Sequence, residues 1–124
     1  MAQDFTELVV WKETRSLRLD LMDLLKSFPK SEEYRLKDQI IRASRSITNN
    51  IAEGHGRFHF QENIQFCRMS RGSLSEIKDH LIIALECNYI TDEQYNEIMK
   101  QYEKCIKLLN GYVNHLKRAK VQTN

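Results

Sequence analysis

The sequence predicts an all-α protein, an antiparallel up-down-up-down four-helix bundle. Three observations carry that expectation. One proline and four glycines in 124 residues are too few for an all-β chain, which must turn often. Four long segments repeat apolar residues at helical spacing, and no strand-like alternation competes. Short polar joints separate the segments, as antiparallel neighbours require. Apolar residues make up 41% of the chain, enough for a core, and its length suits one domain. The expected single domain has helices over roughly 7–28, 32–53, 60–87 and 92–118, with no linker, repeat or low-complexity segment.

In the first segment Val10, Leu17, Leu21, Leu24 and Phe28 form one stripe, with Thr14 as a polar gap in it. Met22 and Leu25 widen the apolar face, and Arg18 marks its edge. Asp4 with Glu7 resembles a capping box. Pro29 ends the helix, because it cannot donate a backbone hydrogen bond and restrains the residue before it. In the second segment Ser31 is the expected N-cap, with Glu32 and Glu33 at the positive end of the helix dipole. Leu36, Ile40, Ala43, Ile47 and Ile51 are its buried stripe. Gly54 and Gly56 are expected to stop it, through the left-handed conformation that glycine adopts without penalty.

In the third segment Ile64, Cys67, Leu74, Ile77, Leu81 and Ala84 face one way. Gly72 lies inside the pattern at a cost of about 1 kcal/mol relative to alanine. Close approach of a neighbouring backbone is the expected compensation. The fourth segment opens on Thr91-Asp92-Glu93-Gln94, a capping box of Thr with Gln three residues later. Tyr95, Ile98, Tyr102, Cys105, Leu109, Tyr112 and Leu116 then alternate at spacings of three and four, with Met99, Ile106 and Val113 as a second stripe. That regularity favours shallow crossing angles. The polar stretch from Lys117 to Asn124 is expected to fray.

Composition narrows the function classes. A net charge of +2 provides no global basic field, so nucleic-acid binding would need local clustering or oligomerisation. Cys67, Cys87 and Cys105 lack metal-ligand spacing and read as reduced thiols of a cytoplasmic protein. The N-terminal MAQDFTELVV has no basic region of a signal peptide, and no apolar run approaches the roughly 20 residues of a membrane span. His55 and His59 are four apart, but the flanking glycines make a turn, and surface histidines outweigh a metal site. GHG lacks the spacing and the preceding strand of a phosphate loop. With no Ser-His-Asp or Cys-His arrangement either, no catalytic residue, metal or cofactor is expected.

Two sets of polar residues stand out. Arg42 and Arg45 share a face of the second helix. With Arg57, Lys117 and Arg118 they are the candidate nucleic-acid contacts, set against the blander reading of solvated faces and ion pairs with Glu53, Glu62 and Glu76. The second set lies around SITNNIAEGHGR, where polar groups end an apolar stripe. Asn50 and Glu53, with Arg57, Ser73 and Glu76, are expected to close a polar network that sets the register of the second and third helices. Gly72 would supply the close approach there. Extra apolar residues (Trp11, Leu19, Met22 and Leu25, then Phe58, Phe60, Phe66 and Met69) fit either a wide core-facing arc or burial against another subunit.

An ordered set of marks also carries a family resemblance: Val10-Trp11, Phe28-Pro29, Glu33-Tyr34, Arg42-Ala43, Asn50-Ile51-Ala52-Glu53-Gly54, Gly56-Arg57 and Gly72-Ser73-Leu74 with Glu76. Together they resemble the 23S rRNA-intervening-sequence proteins, also labelled S23 ribosomal proteins, from Asp4 to about Leu116. The resemblance implies a left-handed antiparallel four-helix bundle that assembles as a homopentamer. It also implies a likeness in fold to a basic pentamer that binds nucleic acid. The chain departs from the family pattern at Thr48, where proline is usual, so a kink expected there is weaker or absent. Asn49 stands where a small serine is usual. Two functions follow as expectations: a nucleic-acid-associated adaptor, RNA above all, or a protein-interaction scaffold with no nucleic-acid affinity.

Overall fold

A computed structural model describes residues 3–123, which form four α-helices and three short 3-10 turns, with no strand among them. The helices are α1 (Val9–Leu24), α2 (Leu36–His55), α3 (Phe60–Glu86) and α4 (Asp92–Thr123). The Asp4–Glu7 box encloses a 3-10 turn, Phe5–Glu7, where the Glu7 carboxylate accepts from the Asp4 N–H at 3.2 Å; α1 starts two residues later. After Leu24 the chain tightens into 3-10 geometry over Leu25–Ser27. Phe28 then turns extended (φ −74°, ψ 145°), as the residue before a proline should.

Three further boundaries differ from expectation. Ser31 does not cap α2: it sits in the 3-10 turn Lys30–Glu32, and the helix begins at Leu36. None of residues 29–35 is buried, and Tyr34 is exposed, so the turn before Leu36 gains nothing by burial. The Glu32 carboxylate is held by the Tyr89 hydroxyl at 2.8 Å instead. Gly54 does not end α2 but lies buried inside it, and Gly56 caps it in right-handed geometry (φ −76°). The left-handed position falls to Asn88 (φ 61°) beyond α3. Tyr89 N–H bonds the Ala84 carbonyl at 2.9 Å and Asn88 N–H bonds that of Leu85 at 3.0 Å, a Schellman closure. Lastly, α4 stays helical past residue 118 to Thr123, where fraying was expected, and Lys120 Nζ donates to Gln61 Oε1 at 2.7 Å. Asn124 lies outside the described residues. The Thr91–Gln94 box forms as expected, with bonds of 2.8 and 3.1 Å.

The helices pack in sequence order, α2 on α3, α3 on α4, and α1 on both α4 and α2. Cross-helix bonds show the directions. Ser73 meets Ser46 and Ser70 meets Ile47, while Gly54 lies against Asn63, so α2 and α3 run oppositely. Asn63–Tyr112 with Arg71–Asn110 give the same for α3 and α4, and Ser16–Gln101 with Glu13–Cys105 for α1 and α4. The expected stripes converge on one core, in which Leu17, Leu21, Ile47, Ile51, Leu81 and Leu109 are fully buried. Each such side chain contributes roughly 2 kcal/mol.

Polar residues complete those stripes where sequence shows gaps. Thr14 is buried and donates to the Val10 carbonyl at 2.9 Å, so it belongs to the core face. Ser70, also buried, donates to the Ile47 carbonyl of α2 at 2.7 Å. Helix α2 runs unbroken through Thr48, whose hydroxyl accepts from Arg18 Nη1 at 2.6 Å. Arg18 therefore bridges α1 to α2 at the edge where the sequence placed it.

Gly72 makes no close approach: a Cβ there would meet nothing within 4 Å. The close approach is at Gly54, whose Cβ would lie 2.6 Å from Asn63 Oδ1 and 2.9 Å from Phe66 Cβ. Gly72→Ala is therefore expected to stabilise the fold by about 1 kcal/mol, the helix-propensity gain. Thermal unfolding should show a midpoint a few degrees higher, and an unchanged or lower midpoint would mean that something packs on Gly72.

Candidate nucleic-acid interface

The expected polar network separates into three pieces. Asn50 Nδ2 donates to the Ser46 carbonyl (2.9 Å) and hydroxyl (3.0 Å), and Ser73 Oγ donates to Ser46 Oγ at 2.8 Å. This short chain does tie α2 to α3. Glu53 and Glu76 take no part in it. Glu53 is exposed and pairs with Arg57 at 3.4 Å, and Glu76 is exposed and meets His80 of its own helix at 3.1 Å. Both carboxylates are exposed, so neither needs a partner inside the α2–α3 seam. Sequence also missed Asn63, buried one helix away, whose Nδ2 donates to Tyr112 Oη at 3.1 Å and whose Oδ1 accepts from Cys67 Sγ at 3.6 Å. Its only signal was an asparagine on the Ile64–Cys67 face of α3.

The five basic candidates do not form one patch. Arg42 is exposed and paired with Asp38 at 3.4 Å. Arg45 lies one turn further along α2 and makes no ion pair among the described residues. Arg57 lies in the α2–α3 turn, and Lys117 and Arg118 lie near the end of α4. Antiparallel packing of α3 and α4 brings these last three to one end of the bundle, as the Lys120–Gln61 bond records. Arg42 and Arg45 sit three and more turns of α2 away.

A cavity of about 230 Å³ opens at that end. His55 (last residue of α2), His59 (just before α3) and His115 (on α4) line it, together with Arg57, Asn63 and Tyr112. Among the described residues no carboxylate lines it. Burial pushes the Tyr112 phenol up, with the Asn63 bond opposing, so the phenol stays a donor at neutral pH. No group of three or more His, Cys, Asp or Glu among the described residues is placed to hold a metal. Phe58 lines the rim and is 92% exposed, its ring edge-to-face with His59 at 4.9 Å. Arg57 lies over the Phe66 ring at 4.8 Å, with Glu53 at 3.4 Å and Glu62 at 3.8 Å.

Charge is segregated along the bundle. The half holding the α2–α3 turn (residues 3–15, 44–74 and 107–123) contains ten Lys and Arg against five Asp and Glu. The other half (residues 16–43 and 75–106) contains nine against twelve. An open groove of about 640 Å³ between α1 and α4 carries Asp20, Asp23 and Glu97 in that acidic half. A net charge near zero thus conceals a basic end that sequence order scatters over all four helices.

Comparison with known proteins places this geometry among relatives. A family model described as 23S rRNA-intervening sequence protein matches residues 6–111. Among solved structures, a Bacteroides thetaiotaomicron protein of unknown function from the S23 ribosomal protein family superposes with a TM-score of 0.77 at 24% identity. The match covers 85% of this chain and 98% of that one, which establishes the likeness of fold. No curated protein matches the chain.

Proposed function

The chain belongs to the 23S rRNA-intervening sequence protein family, and on that footing we propose a non-enzymatic adaptor that binds nucleic acid, RNA foremost, through its basic end. The observation that carries this reading is the charge segregation. Electrostatic attraction to phosphates needs a local excess of cations, and the half with the α2–α3 turn supplies one. Arg57, Lys117 and Arg118 are the contacts this reading retains. Arg42, with its Asp38 partner on the α2 flank, is the weakest of the original candidates. We further propose assembly as a homopentamer in the cytoplasm. The exposed Leu19 and Met69 offer apolar surface to a second copy, and the unpaired Cys67 and Cys105 suit a reducing compartment. Among the described residues no helix is long and apolar enough to cross a membrane.

Fluorescence anisotropy with short RNA tests the reading. Neutralising about four phosphates of a single strand predicts a log–log salt slope of roughly −3, so affinity should fall about fifty-fold between 50 and 200 mM salt. Exchanging Lys117 and Arg118 for glutamate should abolish binding at the lower salt. No binding by the wild type at 50 mM salt would leave the scaffold reading, which the exposed apolar residues favour.

A further inference from the structure

We infer that the α2–α3 turn is a site for an unpaired nucleotide, with a base stacked on Phe58 and its phosphate drawn toward the donors of the His55–His59–His115 cavity. The inference rests on the nucleic-acid reading above and specifies its site and strand type. Phe58 carries it. The connection from Gly56 to Phe60 needs no aromatic at this position, since Phe60 already packs against the core. Phe58 instead stands 92% exposed at the tip, between Arg57 and His59. An exposed ring beside an arginine, in a half of the bundle with excess Lys and Arg, matches how sequence-tolerant binders hold single strands: the ring stacks on a base and the cations follow the backbone.

The cavity beneath supplies the second half of the site. Its polar lining consists mainly of donors: the Arg57 guanidinium, ring N–H groups of three histidines, and the Tyr112 hydroxyl, whose oxygen already accepts from Asn63. Among the described residues no carboxylate lines it, so an anion meets donors without repulsion from that lining. The ion pairs that hold Arg57 are half-exposed and at 3.4 Å or longer, and such pairs are worth little, so a phosphate can displace them. Duplex RNA keeps its bases stacked on one another and offers none to Phe58. The site therefore selects unpaired nucleotides.

The test compares a short labelled oligouridine with an RNA duplex of equal length, at low salt, on wild type, Phe58→Ala and Phe58→Trp. The oligouridine should bind the wild type at least about ten-fold tighter than the duplex. Phe58→Ala should lose about ten-fold or more in oligouridine affinity with little change for the duplex, and Phe58→Trp should retain binding. Because Phe58 is exposed, an unchanged melting temperature should confirm that Phe58→Ala folds. Equal loss for both strands, or no loss for either, overturns the inference while salt-dependent binding still supports the adaptor. Loss of oligomeric state in Phe58→Ala by light scattering also overturns it, by making Phe58 a subunit contact. A wild type that binds neither RNA at low salt removes the adaptor reading as well.

Discussion

Gly54→Ala is expected to destabilise the protein by about 2 kcal/mol, lowering the melting midpoint by roughly 10 °C. The new Cβ would lie 2.6 Å from Asn63 Oδ1, 2.9 Å from Phe66 Cβ and 3.1 Å from the Asn63 carbonyl. Only the first contact is with the end of a side chain, and Asn63 is buried and tethered to Tyr112. The other two are rooted in the α3 backbone, so α2 and α3 must move apart. Overpacking of this kind costs about 3 kcal/mol, offset by about 1 kcal/mol of helix propensity gained by alanine. The same substitution at Gly72 keeps the gain without the clash, so the two glycines should respond with opposite sign. Differential scanning calorimetry of both variants decides it, and a Gly54→Ala protein as stable as the wild type would refute the close approach.

Thiol labelling should divide the cysteines sharply. Burial pushes Cys67 from the ordinary 9.0 up to about 11, against the lowering effect of Arg71. Burial, with Glu13 adding to it, pushes Cys105 up to about 12. The thiolate is the reactive species, so its fraction at neutral pH falls roughly a hundred-fold at Cys67 and a thousand-fold at Cys105, before any steric protection. Cys87 is exposed. A disulfide reagent should therefore modify one thiol per native chain and three after denaturation; prompt modification of a second native thiol would contradict this packing. The same shifts make stability fall at high pH. Folded-state values above the unfolded ones mean that the unfolded chain releases these protons first. The contribution is thus complete below about pH 9 and is lost as pH rises toward 12. Tyr102 and Tyr112, also raised by burial, add to the loss.

Much of the fold was legible because burial periodicity is a local property. Leu17, Ile47, Leu81 and Leu109 lie on faces that spacing alone identifies, and the Thr91–Gln94 box forms from residues three apart. Boundaries were less legible. A serine before two glutamates reads as an N-cap, but no apolar contact rewards a helix before Leu36. A glycine at the end of a stripe reads as a stop, but Gly54 serves the neighbouring helix. The site was legible in part. Arg57, Lys117 and Arg118 were identifiable as basic residues, but 60 positions separate the α2–α3 turn from the last turns of α4, and only antiparallel packing joins them. Asn63 showed only as a polar residue on an apolar face, Tyr112 only as part of the α4 stripe and His115 not at all, since the role of each comes from neighbours on other helices.

The sequence by itself determined four amphipathic helices and their core faces, because each depends on residues within a few turns of one another, and the order of marks along the chain carried the family. Tertiary structure alone decided which glycine is crowded, which polar groups are buried with partners, and that the charges divide into a basic and an acidic end. Those are properties of distance in space: a contact or a field between helices depends on how segments remote in the chain are laid side by side.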